Sequence, residues 1–388
     1  MKRIAVIGAG AAGCFCAIEI KRRLPGADVT VYEAGAVPLA KVAVTGGGRC
    51  NFTNSFRDIA KLEEAYPRGA RLLKRALAEF GPDDVREWFR REGVPSVVQD
   101  DQCVFPESQD AMQIVRTLTR LMRELGVRLV CNRRVGNISE LDADAVVVTV
   151  GGTSEATLRA MLPPDIEITP TVPSLFTFKI ADEGLKALMG TVAPEASAGI
   201  AGSPFRAQGP LLVTDWGVSG PAVLKLSSYA ARHLAENGWR GTLLVDWTGQ
   251  DEASARAWIA DTGRSNPRKM ISGTPPEGIT SRLWKHILGR AGLREDIRWS
   301  ELGGKGANKL CGSLTCDSYA ITGRARFKEE FVTCGGVALG EVDLHTLECR
   351  KHPGLYFAGE VMDVDAVTGG FNLQAAWSTA MAVARAIG

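Results

Sequence analysis

An α/β fold, completed by residues from both ends of the chain, is predicted by three observations. Near the amino terminus a short β-branched run leads through closely spaced glycines into a helical pattern. A second glycine cluster follows at Gly46, Gly47 and Gly48, and a third, Gly369-Gly370, opens an apolar, small-residue helix at the carboxyl end. A length of 388 residues exceeds what one hydrophobic core usually spans, so two or three structural units are expected.

The first element is a strand over Arg3 to Ile7, and the helical pattern runs from Ala11 to Leu24, stopping at Pro25-Gly26. Between them Gly8, Gly10 and Gly13 form G-x-G-x-x-G. Such glycines permit the tight turn, let backbone approach a pyrophosphate and let the helix sit close to the strand. A second strand, Asp28 to Tyr32, ends at Glu33, twenty residues after Gly13, where a carboxylate accepts from a ribose diol and disfavours a 2′-phosphate. Taken alone, the glycines fit an unrelated tight turn equally well; with two strands, a helix and Glu33 they favour a Rossmann-type ADP-ribose site. FAD and NAD share this pattern, which leaves the cofactor open.

The run from Lys41 to Asn54 carries the second glycine cluster without a strand before it. It reads as a loop whose amides and polar side chains suit a pyrophosphate, a ribityl chain or a flavin edge, with a surface hairpin as the plain alternative. Near the other end a buried strand from Gly354 to Ala358 is expected, then Gly359-Glu360, Asp363, Asp365 and Thr368-Gly369-Gly370-Phe371-Asn372-Leu373-Gln374. The helix beginning there again presents backbone donors. Without a ligand it is simply a last helix docked on the sheet.

Composition narrows the function classes. With 45% apolar and 23% charged residues the chain is neither disordered nor fibrous, and no run of about 18 apolar residues suggests a membrane span. The 46 basic and 44 acidic residues nearly cancel, so no nucleic-acid or anionic-membrane partner is expected. The basic-then-apolar start is broken by glycines and reads as a strand and turn rather than a signal peptide. Nine scattered cysteines without C-x-x-C spacing fit a reducing compartment, and a cytoplasmic location is expected. Cys311 and Cys316 read as packed thiols. The histidines His233, His286, His345 and His352 lack metal-ligand spacing or a triad, so no metal is expected.

The motifs G-A-G-A-A-G, K-x-x-x-T-G-G-G-R-C-N-F-T-N, V-F-P-E-S, S-G-P, T-C-G-G-V and G-L-Y-F-A-G-E-V-M-D-V-D…T-G-G-F-N-L-Q run collinearly through the chain. In these the sequence resembles the aminoacetone-oxidase-like, or BaiN-like, FAD-binding oxidoreductases. The resemblance implies a discontinuous FAD-binding domain, residues 1–165 and 332–388. It further implies a β-barrel-like substrate domain, 166–250 and 308–331, and a small helical insertion, 251–307. Pro163-Pro164 through Pro173, short β-rich runs at Leu211 to Thr214 and Leu243 to Trp247, and a helical, charged pattern from Asp251 agree with that division.

Position by position, the resemblance assigns Gly8, Gly10, Ala12 and Gly13 to the pyrophosphate and Glu33 to the adenosine ribose. Val135 would meet the adenine through its backbone. Lys41, Gly48, Arg49, Cys50, Asn51 and Gly151 would line the flavin pocket. Gly359, Glu360, Asp363, Gly370, Phe371, Asn372 and Gln374 would close it from the carboxyl end. Two departures bear on the substrate side. After Gly151-Gly152 the chain runs through Ser154-Glu-Ala-Thr-Leu-Arg to Pro163 where the family pattern has a longer glycine-rich loop and helix. Asp215 stands where that pattern often has histidine, so no catalytic acid or base is transferred.

Flavin carries the redox chemistry and the protein supplies orientation and electrostatics, so no protein nucleophile is required. Cys50 beside Arg49 reads as a packed residue rather than a redox thiol. Gly303-Gly304-Lys305-Gly306 follows no strand and is expected to be a loop, which leaves no second dinucleotide domain. A nicotinamide reductant, NAD(P)H, would therefore dock only transiently. The expected activity is hydride transfer to or from a small organic substrate, either reduction of an enone-type double bond or oxidation of an amine. A fumarate-reductase-like chemistry needs an arginine and histidine pair over the flavin, and none is found. The alternative from another class is an FAD-binding sensor or RNA-associated protein with a structural flavin.

Overall fold

The computed structural model describes residues 1–325 and 332–388. The chain divides into two units, Met1–Val172 with Val332–Gly388, and Pro173–Phe331. The tail of the expected segment 308–331, residues 326–331, lies outside the described residues.

In the first unit five parallel strands lie in the order Leu355–Phe357, Ala145–Val148, Arg3–Ile7, Asp28–Tyr32 and Arg128–Val130. Ile4, Val6, Val29, Val31, Val147 and Phe357 are all buried, the near-continuous apolar pattern of strands covered on both faces. The first helix, Ala11–Arg23, and the last, Phe371–Ile387, pack along each other. The turn at Gly359 also comes close to the first helix: a Cβ added there would stand 3.1 Å from the Cβ of Ala12. Phe15 of the first helix touches Phe80, Trp88 and Trp377, with ring centroids 5.6, 4.8 and 5.5 Å away. Trp377 is fully buried, and its indole N–H donates to the Phe52 carbonyl at 2.9 Å, so the large ring is desolvated without orphaning its one polar atom. The expected direct run after Gly152 is in fact a short helix, Glu155–Met161, because the Ser154 hydroxyl caps it by accepting the Thr157 amide at 3.2 Å.

In the second unit eight strands form one antiparallel sheet with edges at Val192–Ala193 and Arg206–Gln208, rather than a closed ring among the described residues. Asp317–Arg324 shows the period-two pattern of a sheet covered on one side, with Tyr319 and Ile321 inside and Ser318 and Ala320 outside. Helices Glu252–Ser265, Ser281–Arg290 and Gly303–Thr315 share the core of this sheet through Ile259, Trp284, Ile287 and Leu310. Asp251 and Thr280 cap the first two by accepting first-turn amides. The helical stretch thus continues past 307, and the glycine run at 303–306 is the first turn of a helix, not a loop. Gly303 enters with a positive φ of 61°, and Gly306 lies so close to Leu302 that a Cβ would stand 2.7 Å from its side chain. Cys311 is buried, but Cys316 is exposed at the helix end and is not a packed thiol.

Candidate functional site

The amino-terminal turn is backbone against backbone. Gly8, at φ 103°, donates its N–H to the Tyr32 carbonyl at 2.8 Å, and a Cβ there would lie 2.6 Å from the Thr149 carbonyl oxygen. At Gly13 a Cβ would fall 1.9 Å from the Gly8 oxygen. Gly10 differs: a Cβ there would meet nothing within 4 Å, so its surface faces open space. No side chain caps the first helix at Gly10, which leaves first-turn amides and the positive end of the helix dipole for an anion. Ala12 is buried behind this turn.

Glu33 is fixed by two amides, Ala9 donating to Oε2 at 2.8 Å and Gly35 to Oε1 at 2.7 Å. A carboxylate oxygen has further lone pairs, so the group remains able to accept from a diol. The amides of Asn132 and Arg133 donate to the carbonyls of Gly35 and Glu33, which draws the chain entering buried Val135 against this corner.

The second glycine cluster follows a short helix, Ala40–Val44, and winds left-handed: Gly46, Gly47, Gly48 and Cys50 have φ of 62°, 68°, 83° and 62°. Added Cβ atoms at Gly47 and Gly48 would meet nothing, again the signature of open space. Arg49 packs its guanidinium over Phe105, 4.3 Å from the ring centroid. Cys50 is fully buried, and burial pushes its thiol up to about 12. A reactive cysteine needs the opposite shift. Iodoacetamide is therefore expected to label exposed Cys316 in the folded protein and to reach Cys50 only after unfolding, as read by peptide mass spectrometry.

Asn51 ties the two ends together. With its amide oriented by the surrounding partners, its nitrogen donates to the Val104 and Thr53 carbonyls and its oxygen accepts the Gly370 N–H at 3.2 Å. Gly370, at φ 89°, comes so close to Thr53 that a Cβ would stand 2.2 Å from its carbonyl oxygen. The side chains beyond it turn inward. Phe371 packs against Phe56 and Tyr66, at 5.0 and 6.0 Å, and its carbonyl accepts from the Tyr66 hydroxyl. Asn372 uses both ends of its amide on Ala366, at 2.9 and 3.1 Å. Gln374 is fully buried, bonded to Thr53, Ser378 and the Phe80 carbonyl. These three brace the helix start, where what they can offer a ligand is backbone.

Two residues past Asp363, Asp365 is fully buried and paired to Arg68, whose Nε donates to Oδ1 at 2.6 Å. Arg68 lies in a stretch without a motif and gave no sequence signal.

Glu360 gathers the remaining residues. Its Oε1 accepts the Thr333 N–H at 2.7 Å, and Cβ atoms added at Gly152 and Gly151 would stand 2.6 and 3.7 Å from its carboxylate oxygens. Burial raises this carboxyl, against the opposing charge of Lys41 and the amides of Thr333 and Gly152. Thr333 opens the T-C-G-G-V motif, but nothing in its spacing marks it as a partner of Glu360. A proton held more tightly by the folded than by the unfolded chain stabilises at low pH, and that contribution is lost as pH rises through the raised value. In urea titrations of apoprotein from about pH 4 to about pH 7, the wild type is expected to lose stability relative to Glu360→Gln.

Glycines that no side chain could replace, an uncapped helix start, an amide-fixed acid after the second strand and a carboxyl-terminal glycine turn define a Rossmann-type dinucleotide site that fits FAD. The chain belongs to the family described as HI0933-like protein Rossmann domain, whose model matches residues 2–386. It is 30% identical to the ribosomal RNA dihydrouridine synthase of Escherichia coli (strain K12), over 98% of this chain and 96% of that one. It is 28% identical to the 3-dehydro-bile acid delta(4,6)-reductase of Clostridium scindens, over 100% and 99%. The open conformation of a flavocytochrome c3 fumarate reductase aligns at a TM-score of 0.48 and 14% identity, over 100% of this chain and 78% of that one. The protein is a flavin-dependent oxidoreductase. No helix among the described residues is long and apolar enough to cross a membrane.

Proposed function

We propose that the protein reduces a carbon–carbon double bond conjugated to a carbonyl. The observation that carries this is chemical: two relatives matched over nearly their whole length have different substrates, yet both names describe such a reduction. A uracil ring holds its 5,6 double bond next to a carbonyl, and a 3-oxo steroid holds its 4,6 bonds the same way. Neither name describes amine oxidation. The substrate gains a hydride at the carbon β to the carbonyl and a proton at the α carbon, with NAD(P)H proposed as the electron source.

Bound flavin supplies the two-electron chemistry. In this reading Gly8, Gly10 and Gly13 hold the pyrophosphate with the first-turn amides, Glu33 takes the adenosine ribose, and Val135 meets the adenine. Lys41, Gly48, Asn51, Gly151 and Glu360 line the flavin side, and Gly370 brings the last helix to it. In the same reading the β-rich segments 166–250 and 308–331, with the helical segment 251–307, form the substrate side.

The reading of the substrate as uracil within RNA is favoured by a charge distribution that the near-neutral total conceals. Residues 251–315 carry 11 Lys and Arg against 7 Asp and Glu, a net +4, while the rest of the chain is net −2. To test the reaction, flavin-loaded protein is reduced anaerobically with NADPH or NADH and mixed with protein-free ribosomal RNA or with a 3-oxo-Δ4 steroid. Return of the oxidised flavin band, with a product two hydrogens heavier, is expected for the RNA. Turnover of the steroid alone assigns a small-molecule substrate, and reoxidation by neither overturns the enone reading.

A further inference from the structure

We infer that the edge of the helical segment built from residues 267–270 and 298–309 is a docking surface for the RNA phosphate backbone; this rests on the uracil reading above. Two short stretches run antiparallel there. Met270 bridges Arg298, the Ile271 N–H donates to the Ile297 carbonyl at 3.0 Å, and the amides of Trp299 and Ser300 donate to the carbonyls of Lys269 and Pro267 at 3.1 and 3.0 Å. This ladder sets Arg268 and Lys269 beside Arg298, and the helix Gly303–Thr315 adds Lys305 and Lys309 one turn apart.

All five cations are exposed, and none has a carboxylate within ion-pair distance among the described residues. That separates them from the arginines nearby: Arg256, Arg264 and Arg294 are matched to Glu252, Asp261 and Asp296, and Lys285 to Glu295. Glu301, three residues beyond Arg298, accepts that residue's backbone amide. Exposed cations without matched carboxylates suit a polyanion, because neutralising phosphates releases condensed counterions. Met270, 55% exposed among them, offers an apolar contact that a base can cover.

The test uses flavin-loaded wild type and the triple variant R268E/K269E/R298E, with protein-free ribosomal RNA as probe. RNA affinity is measured against salt concentration, and dihydrouridine by mass spectrometry of digested RNA. The variant is expected to keep its flavin and thermal midpoint, to bind roughly tenfold or more weaker, and to show a salt slope shallower by about 2. Equal affinity and slope in the two proteins, or no RNA binding by the wild type, overturns the surface. Wild type that binds through these residues but leaves uracil unreduced sinks the reaction and spares the surface. Equal binding and equal conversion by both proteins does the reverse.

Discussion

Gly13→Ala is expected to give protein without flavin and with a lost or much reduced folding transition. The added methyl would sit 1.9 Å from the Gly8 carbonyl oxygen. Gly8 cannot retreat, since its N–H is held by Tyr32, its oxygen accepts from the Thr149 hydroxyl at 2.9 Å, and its own φ of 103° is already a glycine conformation. Helix and strand must separate, at a cost on the order of 3 kcal/mol or more. Gly10→Val distinguishes a lost ligand from a lost fold. At φ −83° any residue is tolerated, and no protein atom lies within 4 Å of the added carbon. Its apoprotein should melt as the wild type does, while FAD affinity falls about 100-fold, or about 2.8 kcal/mol. Absorbance of the purified proteins and FAD titration read both effects; a Gly10→Val protein that purifies yellow at full stoichiometry removes the pyrophosphate assignment.

Asp365→Ala is expected to destabilise the first unit by about 3–5 kcal/mol, because it leaves the Arg68 guanidinium, 11% exposed, without its buried carboxylate. Removing one partner of a buried pair costs more than the pair itself contributes. Arg68→Met with Asp365→Leu, which removes both charges and keeps apolar volume, should recover most of the loss. Denaturant titration of the two variants checks this. If the single and double variants are equally unstable, the packing of the residues and not their charge is what matters.

The strands at Arg3–Ile7 and Asp28–Tyr32 could be read directly from the sequence, since both are β-branched runs bounded by turn residues, and the same holds for the glycine turn and Glu33. The reasons are local: those elements follow from propensity and from conformations that glycine alone adopts readily. What resisted reading depends on distant neighbours. Gly303–Gly306 looks like a loop by composition, yet packing of its helix against the sheet core overrides propensity. Gln374 and Asn372 stand in a motif beside Gly370, but only three-dimensional placement shows their amides consumed by Thr53, Ser378 and Ala366. Arg68 and Asp365 are 297 positions apart, and no periodicity connects them.

The sheet position of Leu355–Phe357, outside Ala145–Val148, bears on how the protein is made. During vectorial synthesis the four earlier strands can assemble while one margin stays uncovered, until residues 355–357 have left the ribosome. A nascent chain stalled before Leu355 would hold the Gly8 turn and Glu33 but not Gly370, so cofactor capture waits for the strand and the glycine turn to emerge.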